Sequence, residues 1–493
     1  MKKILVAFGI FIIFTGSVGA AAQTAEKAEK KEAVPLGQDP RFVQAVGLLE
    51  AWIDGKLGFE KIPGISLGLV VDQDLVWSKG YGFADLSRRE PATPRTIYSI
   101  CSISKLFTSI AVMQLRDQGR LRLDDPISQY LPWFKLPPAS ADSPEVTLRG
   151  LLTHSSGVPR ESDHPYWTGP DFNFPTREEV VKGLANQTML YPSERYFQYS
   201  NLGITLAGQV VEQVSGKPYG EYVRENILAP LGLARTTPEI PAQERGGLLA
   251  QGYGVLTRAG EREAMPFFQV RGIAPAAGFA SNVEDLARFA SWQFRLLAKG
   301  GSEVLKASTL REMQRVQWMD PDWKTSWGLG FVVNRRNNKT VVGHEGSCPG
   351  FRTALEMLPE EKLAGIALCN AMGVDPGAVA GRMIEILGAA LKKIKEAPDA
   401  GKSSDPAFQK FTGLYRSAWG ETAVIVWDDG LAMLDLPTGN PLETMDKLKF
   451  AEGLRFRRIR TDGELGEEVV FEAAPDGRVI RFKVHGNYSE KVR

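Results

Sequence analysis

The chain has 493 residues, 43% hydrophobic and 24% charged, with 50 Gly and 30 Pro, which is ordinary globular composition and enough for two or three domains. A formal net charge of +1 and the absence of a long basic run argue against a nucleic-acid binder. The mature chain carries only Cys101, Cys348 and Cys369, an odd and sparse set that makes no disulfide framework and leaves Cys101 reading as a small packing residue.

Met1 to Ala22 has a Lys2-Lys3 start, an apolar run from Ile4 to Phe14 and small residues Gly19 to Ala22, the pattern of a secretory signal peptide. Export to the periplasm or outside the cell is therefore expected, with no stable membrane span after cleavage. Residues 23 to 40, rich in Ala, Glu and Lys, read as a flexible lead-in. Phe42 to Leu57 is helical in pattern, and Ile65 to Val71 with Leu75 to Lys79 reads as a β-hairpin.

Ser99 to Thr108 opens a second helix. Ile103, Leu106, Phe107, Ile110 and Met113 make one apolar stripe, and Gly119 stands where a helix ends. Ser102 falls at the helix start with Lys105 one turn on, the one Ser-x-x-Lys tetrad in the chain. A hydroxyl there can act as a nucleophile if burial keeps the amine uncharged and able to accept its proton. Alone, the tetrad reads equally as a helix cap beside a solvated lysine.

Leu148 to Leu152 reads as a short helix ending in Thr153-His154-Ser155-Ser156-Gly157, where His154 suits a hydrogen-bonded turn better than a general base. Residues 158 to 198, with Trp167, Phe172 and Phe174, fit either a substrate-lining loop or a surface loop with its own cluster. Tyr199-Ser200-Asn201 caps another periodic run that closes at Gly216. Helical runs follow at Tyr222 to Leu231 and Val283 to Leu297, then strands at Trp327 to Val333 and Thr340 to Val342 and the stretch Gly343-His344-Glu345-Gly346-Ser347. A hairpin from Arg352 to Cys369 and a helix from Val379 to Lys395 complete an α/β arrangement: an antiparallel sheet built from both ends of the domain, flanked by helices, with a helical region inserted. The expected divisions are a catalytic domain over 41–395, a polar linker over 396–407 and a small all-β domain over 408–493.

Ser102-Ile103-Ser104-Lys105, Tyr199-Ser200-Asn201 and His344-Glu345-Gly346, in this order, resemble the serine β-lactamase and penicillin-binding-protein family. They are most similar to its branch of class C β-lactamases, D-alanyl-D-alanine carboxypeptidases, D-aminopeptidases and esterases. The resemblance implies an acyl-enzyme on Ser102, with Lys105 and Tyr199 sharing the general-base role and His344 orienting Tyr199 or attracting a substrate carboxylate. It further implies that Asn201 binds the substrate amide. Ser347, with Ser102, would supply oxyanion-holding N–H groups, and Gly346 would let substrate approach the strand edge.

His344 replaces the Lys usual in β-lactamases, which turns the expectation from β-lactam hydrolysis toward esters or D-amino-acid peptides as small-molecule or peptide substrates. Glu345 disfavours a carboxylate substrate if it faces the cleft. No second His follows four residues after His344, and the reading calls for no metal and no cofactor. The competing class is a non-catalytic binding or sensing protein of the same shape. A further expectation is that the C-terminal β domain covers the cleft and limits substrate size.

Overall fold

The computed structural model describes residues 35–397 and 404–493; the signal-peptide expectation and most of the lead-in and linker lie outside them. Helix α1 (Pro40–Glu60) starts where the Asp39 carboxylate accepts the Arg41 N–H at 2.9 Å, and it stops at Lys61 in the left-handed conformation. It leads into β1 (Gly64–Val71), β2 (Asp74–Asp85) and the short β3 (Glu90–Pro91). The chain then makes a helical region containing α2 (Ser104–Asp117), α3 (Asn201–Ser215) and α4 (Val283–Lys299). It returns to the sheet as β4 (Trp318–Met319), β5 (Ser326–Trp327), β6 (Val332–Arg336), β7 (Lys339–Cys348), β8 (Phe351–Leu358) and β9 (Leu363–Cys369), followed by α5 (Pro376–Glu396).

The nine strands form one antiparallel sheet in the order β3-β2-β1-β9-β8-β7-β6-β5-β4. The first and last strands of the domain thus meet at β1 and β9, with Ile65 opposite Cys369, and the helices between them are the insertion. On one face, here the front, lie α2, α3 and α4; on the back lie α1 and α5. The helix expected to show one apolar stripe is buried on every side from Ser104 to Leu115, because α2 is wedged between the sheet and the other front helices.

Several boundaries differ from the sequence pattern: β2 runs on past Lys79 to Asp85, and β7 runs past Val342 through Cys348, so that it carries His344. The run Tyr222 to Leu231 gives a short helix (Tyr219–Val223) passing into a wider turn (Arg224–Leu228), which ends ahead of Pro230, a residue with no N–H to continue it. Trp327 to Val333 is split between β5 and β6, because Gly330 at φ +81° dips against α2. A Cβ there would sit 1.9 Å from Ser109 Oγ.

Beyond α5 the chain forms a closed antiparallel barrel of eight strands, from Gly413–Ser417 to Asn487–Lys491. Phe411, Tyr415, Phe456, Phe471 and Phe482 fill its interior. In the strand Gly430–Leu436, Leu431 and Met433 point inward, while Leu434 and Leu436 pack outward with Leu49, Trp52 and Leu387 of the back helices. Leu436 lies against Gly55 of α1, and Trp52 Nε1 donates to Thr438 O at 2.8 Å. The barrel therefore sits behind the sheet, which corrects the expectation that it covers the front cleft. Among the described residues no helix is long and apolar enough to cross a membrane.

Candidate active site

Ser102 lies in a single 3-10 turn (Cys101–Ile103) that runs directly into α2. Lys105, one turn on, is 0% exposed, so the alternative of a solvated first-turn lysine is removed. Its Nζ lies 3.0 Å from Ser102 Oγ, 2.7 Å from Asn201 Oδ1 and 2.8 Å from the Ala276 carbonyl. Burial pushes the Lys105 amine well below its ordinary value, with the nearby Glu161 charge opposing and Arg160 adding to the shift. An uncharged amine has two N–H groups and one lone pair. In that form Asn201 Oδ1 and Ala276 O, which accept only, take the two N–H groups and the lone pair is left for the Ser102 hydroxyl, whereas the charged form donates its third N–H to Ser102 Oγ.

Asn201 begins α3, whose N-cap Ser200 accepts the Gly203 N–H at 2.7 Å. Its Nδ2 donates to Glu161 Oε1 at 2.7 Å, while the Tyr166 hydroxyl donates to the other Glu161 oxygen. Glu161 thereby fixes which end of the Asn201 amide faces Lys105. Both ends of that amide are occupied within the protein. Glu161 was missed from the sequence because nothing in Pro159-Arg160-Glu161 marks it locally.

The Tyr199 ring lies 4.8 Å from Lys105 Nζ and 5.0 Å from the Arg160 guanidinium, with the His154 ring at 4.4 Å. Burial raises the phenol well above its ordinary value, the Ser102 hydroxyl beside it opposing, so it rests protonated. His154 sits at φ +58° and its Nδ1 accepts the Ser200 N–H at 3.1 Å. Its place is under Tyr199, pinning the approach to α3.

His344 is on β7 with its ring centroid 6.2 Å from that of Tyr199. Its Nδ1 lies 2.5 Å from the Glu345 carbonyl, so Nδ1 carries the proton and donates, and the buried Nε2 is an acceptor without a protein partner. Burial lowers it to about 3. The next side chain points to the other face: Glu345 Oε1 lies against Gly377 at the start of α5, and Oε2 is 3.4 Å from Arg352 Nη2. Glu345 is thus turned away from Ser102.

Gly346 is required by packing. A Cβ there would meet Thr353 Oγ1 at 2.2 Å and the Ile100 carbonyl at 2.3 Å, so the bare Cα lets β7 lie against the nucleophile turn. The pairing of β7 with β6 stops at Gly343, leaving residues 344–348 held by β8 alone. Ser347 is on that stretch. A disulfide between Cys101 and Cys348 joins the turn to the strand, which corrects the reading of Cys101 as a packing residue; Cys369 is the free, buried third cysteine. The two partners are 247 residues apart in sequence, so local pattern carried no sign of the pair.

These groups open on a cleft of about 870 Å³ lined by Ser102, Tyr199 and His344, with Trp167 and Phe172 from the aromatic loop. Trp327, Val255 and Met265 also line it, and no barrel residue does. Among the described residues no cluster of three or more His, Cys, Asp or Glu side chains is placed to hold a metal ion.

Residues 49–389 match the family model described as Beta-lactamase. The chain belongs to the beta-lactamase family. Beta-lactamase-like protein 2 of Dictyostelium discoideum is 27% identical over 338 residues, covering 67% of this chain and 60% of that protein. Unguisins hydrolase ungD' of Aspergillus campestris is 27% identical over 349 residues, 68% of this chain and 62% of that protein. The chain thus spans about three fifths of the length of these relatives. Among solved structures, the octameric penicillin-binding protein homologue from Pyrococcus abyssi is similar with a TM-score of 0.61 at 28% identity. That similarity covers 90% of this chain and all of the other, so it reaches into the barrel, beyond the beta-lactamase match.

Proposed function

We propose that this beta-lactamase family member is an exported serine hydrolase that cleaves an ester or amide bond through an acyl-enzyme on Ser102. The observation that carries the reading is the donor count at Lys105: two obligate acceptors for two N–H groups, and the remaining contact to the Ser102 hydroxyl. The lone pair takes the Ser102 proton as Oγ attacks the acyl carbon. The N–H groups of Ser102 and Ser347 hold the developing oxyanion. Tyr199, a neutral phenol beside Lys105, passes its proton to the leaving group and is reprotonated by the Lys105 ammonium, which frees the amine to act again as base when water releases the acyl group. His344 orients Tyr199 by packing, its ring centroid 6.2 Å from that of the phenol, and its Nε2 is left free as an acceptor for substrate. Asn201 acts through Lys105 by orienting its amine.

An uncharged His344 brings no cation for a substrate carboxylate, and the aromatic cleft favours an apolar acyl group. Short esters and D-amino-acid amides are the favoured substrates, ahead of β-lactams. The relative from Aspergillus campestris that bears the name hydrolase supports the reaction class. The charged start, apolar run and small residues of positions 1–22 support export.

The test is pre-steady-state release of nitrophenol from a short-chain p-nitrophenyl ester. A burst of about one equivalent is expected, with loss of burst and turnover in Ser102→Ala and an unchanged circular dichroism spectrum. A burst that survives in the variant overturns the assignment. Silence in both proteins toward esters, D-amino-acid amides and a fluorescent penicillin would favour the binding-protein reading.

A further inference from the structure

Cys101 immediately precedes Ser102, and Cys348 immediately follows Ser347. The disulfide therefore joins the two segments that carry the N–H groups assigned above to the oxyanion. We infer that Cys101 and Cys348 are a positioning pair, fixing the separation of the Ser102 and Ser347 amides before substrate arrives; the inference rests on the acyl-enzyme reading.

Both segments need an outside tether. Cys101 sits at φ +50°, a sparsely populated conformation for a residue with a Cβ, so the nucleophile turn depends on its surroundings to keep it there. The neighbours on either side are tied down. The Ile100 N–H donates to Phe279 O at 2.9 Å, Thr353 Oγ1 donates to Ile100 O at 3.1 Å, and Ser104 Oγ accepts the Phe279 N–H at 2.9 Å. These bonds fix the flanks of the turn to the sheet and to the 279 segment, and none of them joins it to residues 347 and 348.

The strand has the complementary weakness. After Gly343, β7 is paired on one side only, and the chain turns away at Gly350 with φ +83°. Contact at Gly346 sets how close the strand comes to the turn. The bridge, with its Cα atoms 5.7 Å apart, is the covalent link that fixes the next two residues. It is buried, with Cys101 0% and Cys348 3% exposed, and Ser99 Oγ lies 3.2 Å from the Cys348 sulfur. Oxyanion donors act only when they are already in place, and displacement by an ångström costs on the order of a hundredfold in rate.

The experiment uses the full chain. Peptide mapping without reductant should recover one cross-linked peptide containing Cys101 and Cys348. The wild-type protein reduced with a phosphine, which with one water opens the bridge to two thiols and is itself oxidised to phosphine oxide, is then compared with Cys101→Ser/Cys348→Ser. In both, kcat on the nitrophenyl ester should fall about tenfold to a hundredfold while KM stays within about threefold. The affinity for an arylboronic acid, whose tetrahedral adduct on Ser102 places an oxygen between the two amides, should fall by the same factor as kcat. The acid limb of the pH profile should not move, because the Lys105 contacts are untouched, and reoxidation should restore kcat.

Absence of the cross-linked peptide overturns the inference. So does a reduced protein, with three thiols titrated per chain, that keeps its kcat and boronate affinity. Loss of the circular dichroism signal together with kcat and KM, without recovery on reoxidation, makes the bridge a fold staple and also overturns it. Inactivity of the oxidised and reduced forms alike removes the Ser102 reading first, and this inference with it.

Discussion

The two faces of the nine-stranded sheet are equally buried and carry opposite chemistry. On the back, Leu49, Ile53, Leu387, Leu434 and Leu436 join α1, α5 and the barrel in one apolar cluster. On the front, the same degree of burial encloses Lys105, Asn201, His154 and His344. An apolar side chain is stabilised by leaving water, whereas a buried amine or imidazole must shed its charge to stay there. The front is thus organised for proton transfer at a cost in stability, and the back supplies stability without reactive groups. The barrel extends that back face, which is why it lies far from the cleft.

The strongest way to break this contrast is Lys105→Met, which keeps an unbranched chain and removes the base. Loss of a positioned general base should lower kcat/KM by about a thousandfold on the nitrophenyl ester. The variant also reports the cost of the buried amine. The Lys105 pKa is lowered on folding from an ordinary value of 10.5, so between the two values the unfolded chain binds the extra proton. Wild-type stability should therefore rise relative to the variant as pH climbs toward that ordinary value, and the difference should level off above it. Urea unfolding of both proteins at pH 7, 8.5 and 10 reads that slope. A flat difference would mean that Lys105 is not buried uncharged.

Leu434→Ala probes the other face. Removing a fully buried leucine between the barrel and α1 should cost about 2–5 kcal/mol of unfolding free energy. The nitrophenyl ester kcat/KM, measured well below the unfolding transition, should stay within about twofold. A parallel loss of kcat would show that the back face sets the geometry of the front, and the division of labour would fail.

The sequence already displayed the parts of the front whose signal is local. Ser102 and Lys105 share one helix turn, Ser200 and Gly216 bracket α3, and His344 to Ser347 are consecutive, so periodicity placed the first two groups on helices and the resemblance of the three short motifs to a known family marked them as a site. The groups that tune them come from elsewhere in the chain. Glu161 reaches Asn201 across 40 residues, and Cys348 reaches Cys101 across 247, pairings that only the folded topology creates. The barrel divides the same way. The all-β domain was legible because stretches such as Val424 to Trp427 and Leu431 to Leu434 have one or both faces apolar. Asp446–Glu452 and Asn487–Lys491 were not, because in a closed barrel their outward side chains are charged and few inward ones remain to mark a strand.

The smallest effect expected is from His344→Gln, and its sign distinguishes the two buried bases of the front. Like Lys105, His344 has a pKa lowered by burial, here from 6.5 to about 3, but its ordinary value lies below neutrality. At pH 7 both the folded and unfolded states hold it uncharged, so its burial carries no protonation cost there. As pH falls from about 6.5 to about 3 the unfolded chain takes up a proton that the folded chain refuses, and wild-type stability declines. The glutamine variant should lose that component, making the acid slope shallower by up to about 1.4 kcal/mol per pH unit. His154, buried and lowered in the same sense, keeps the remaining slope from vanishing. If the two slopes coincide, folding leaves His344 at its ordinary value of 6.5, and a cation for a substrate carboxylate returns to the cleft below that pH.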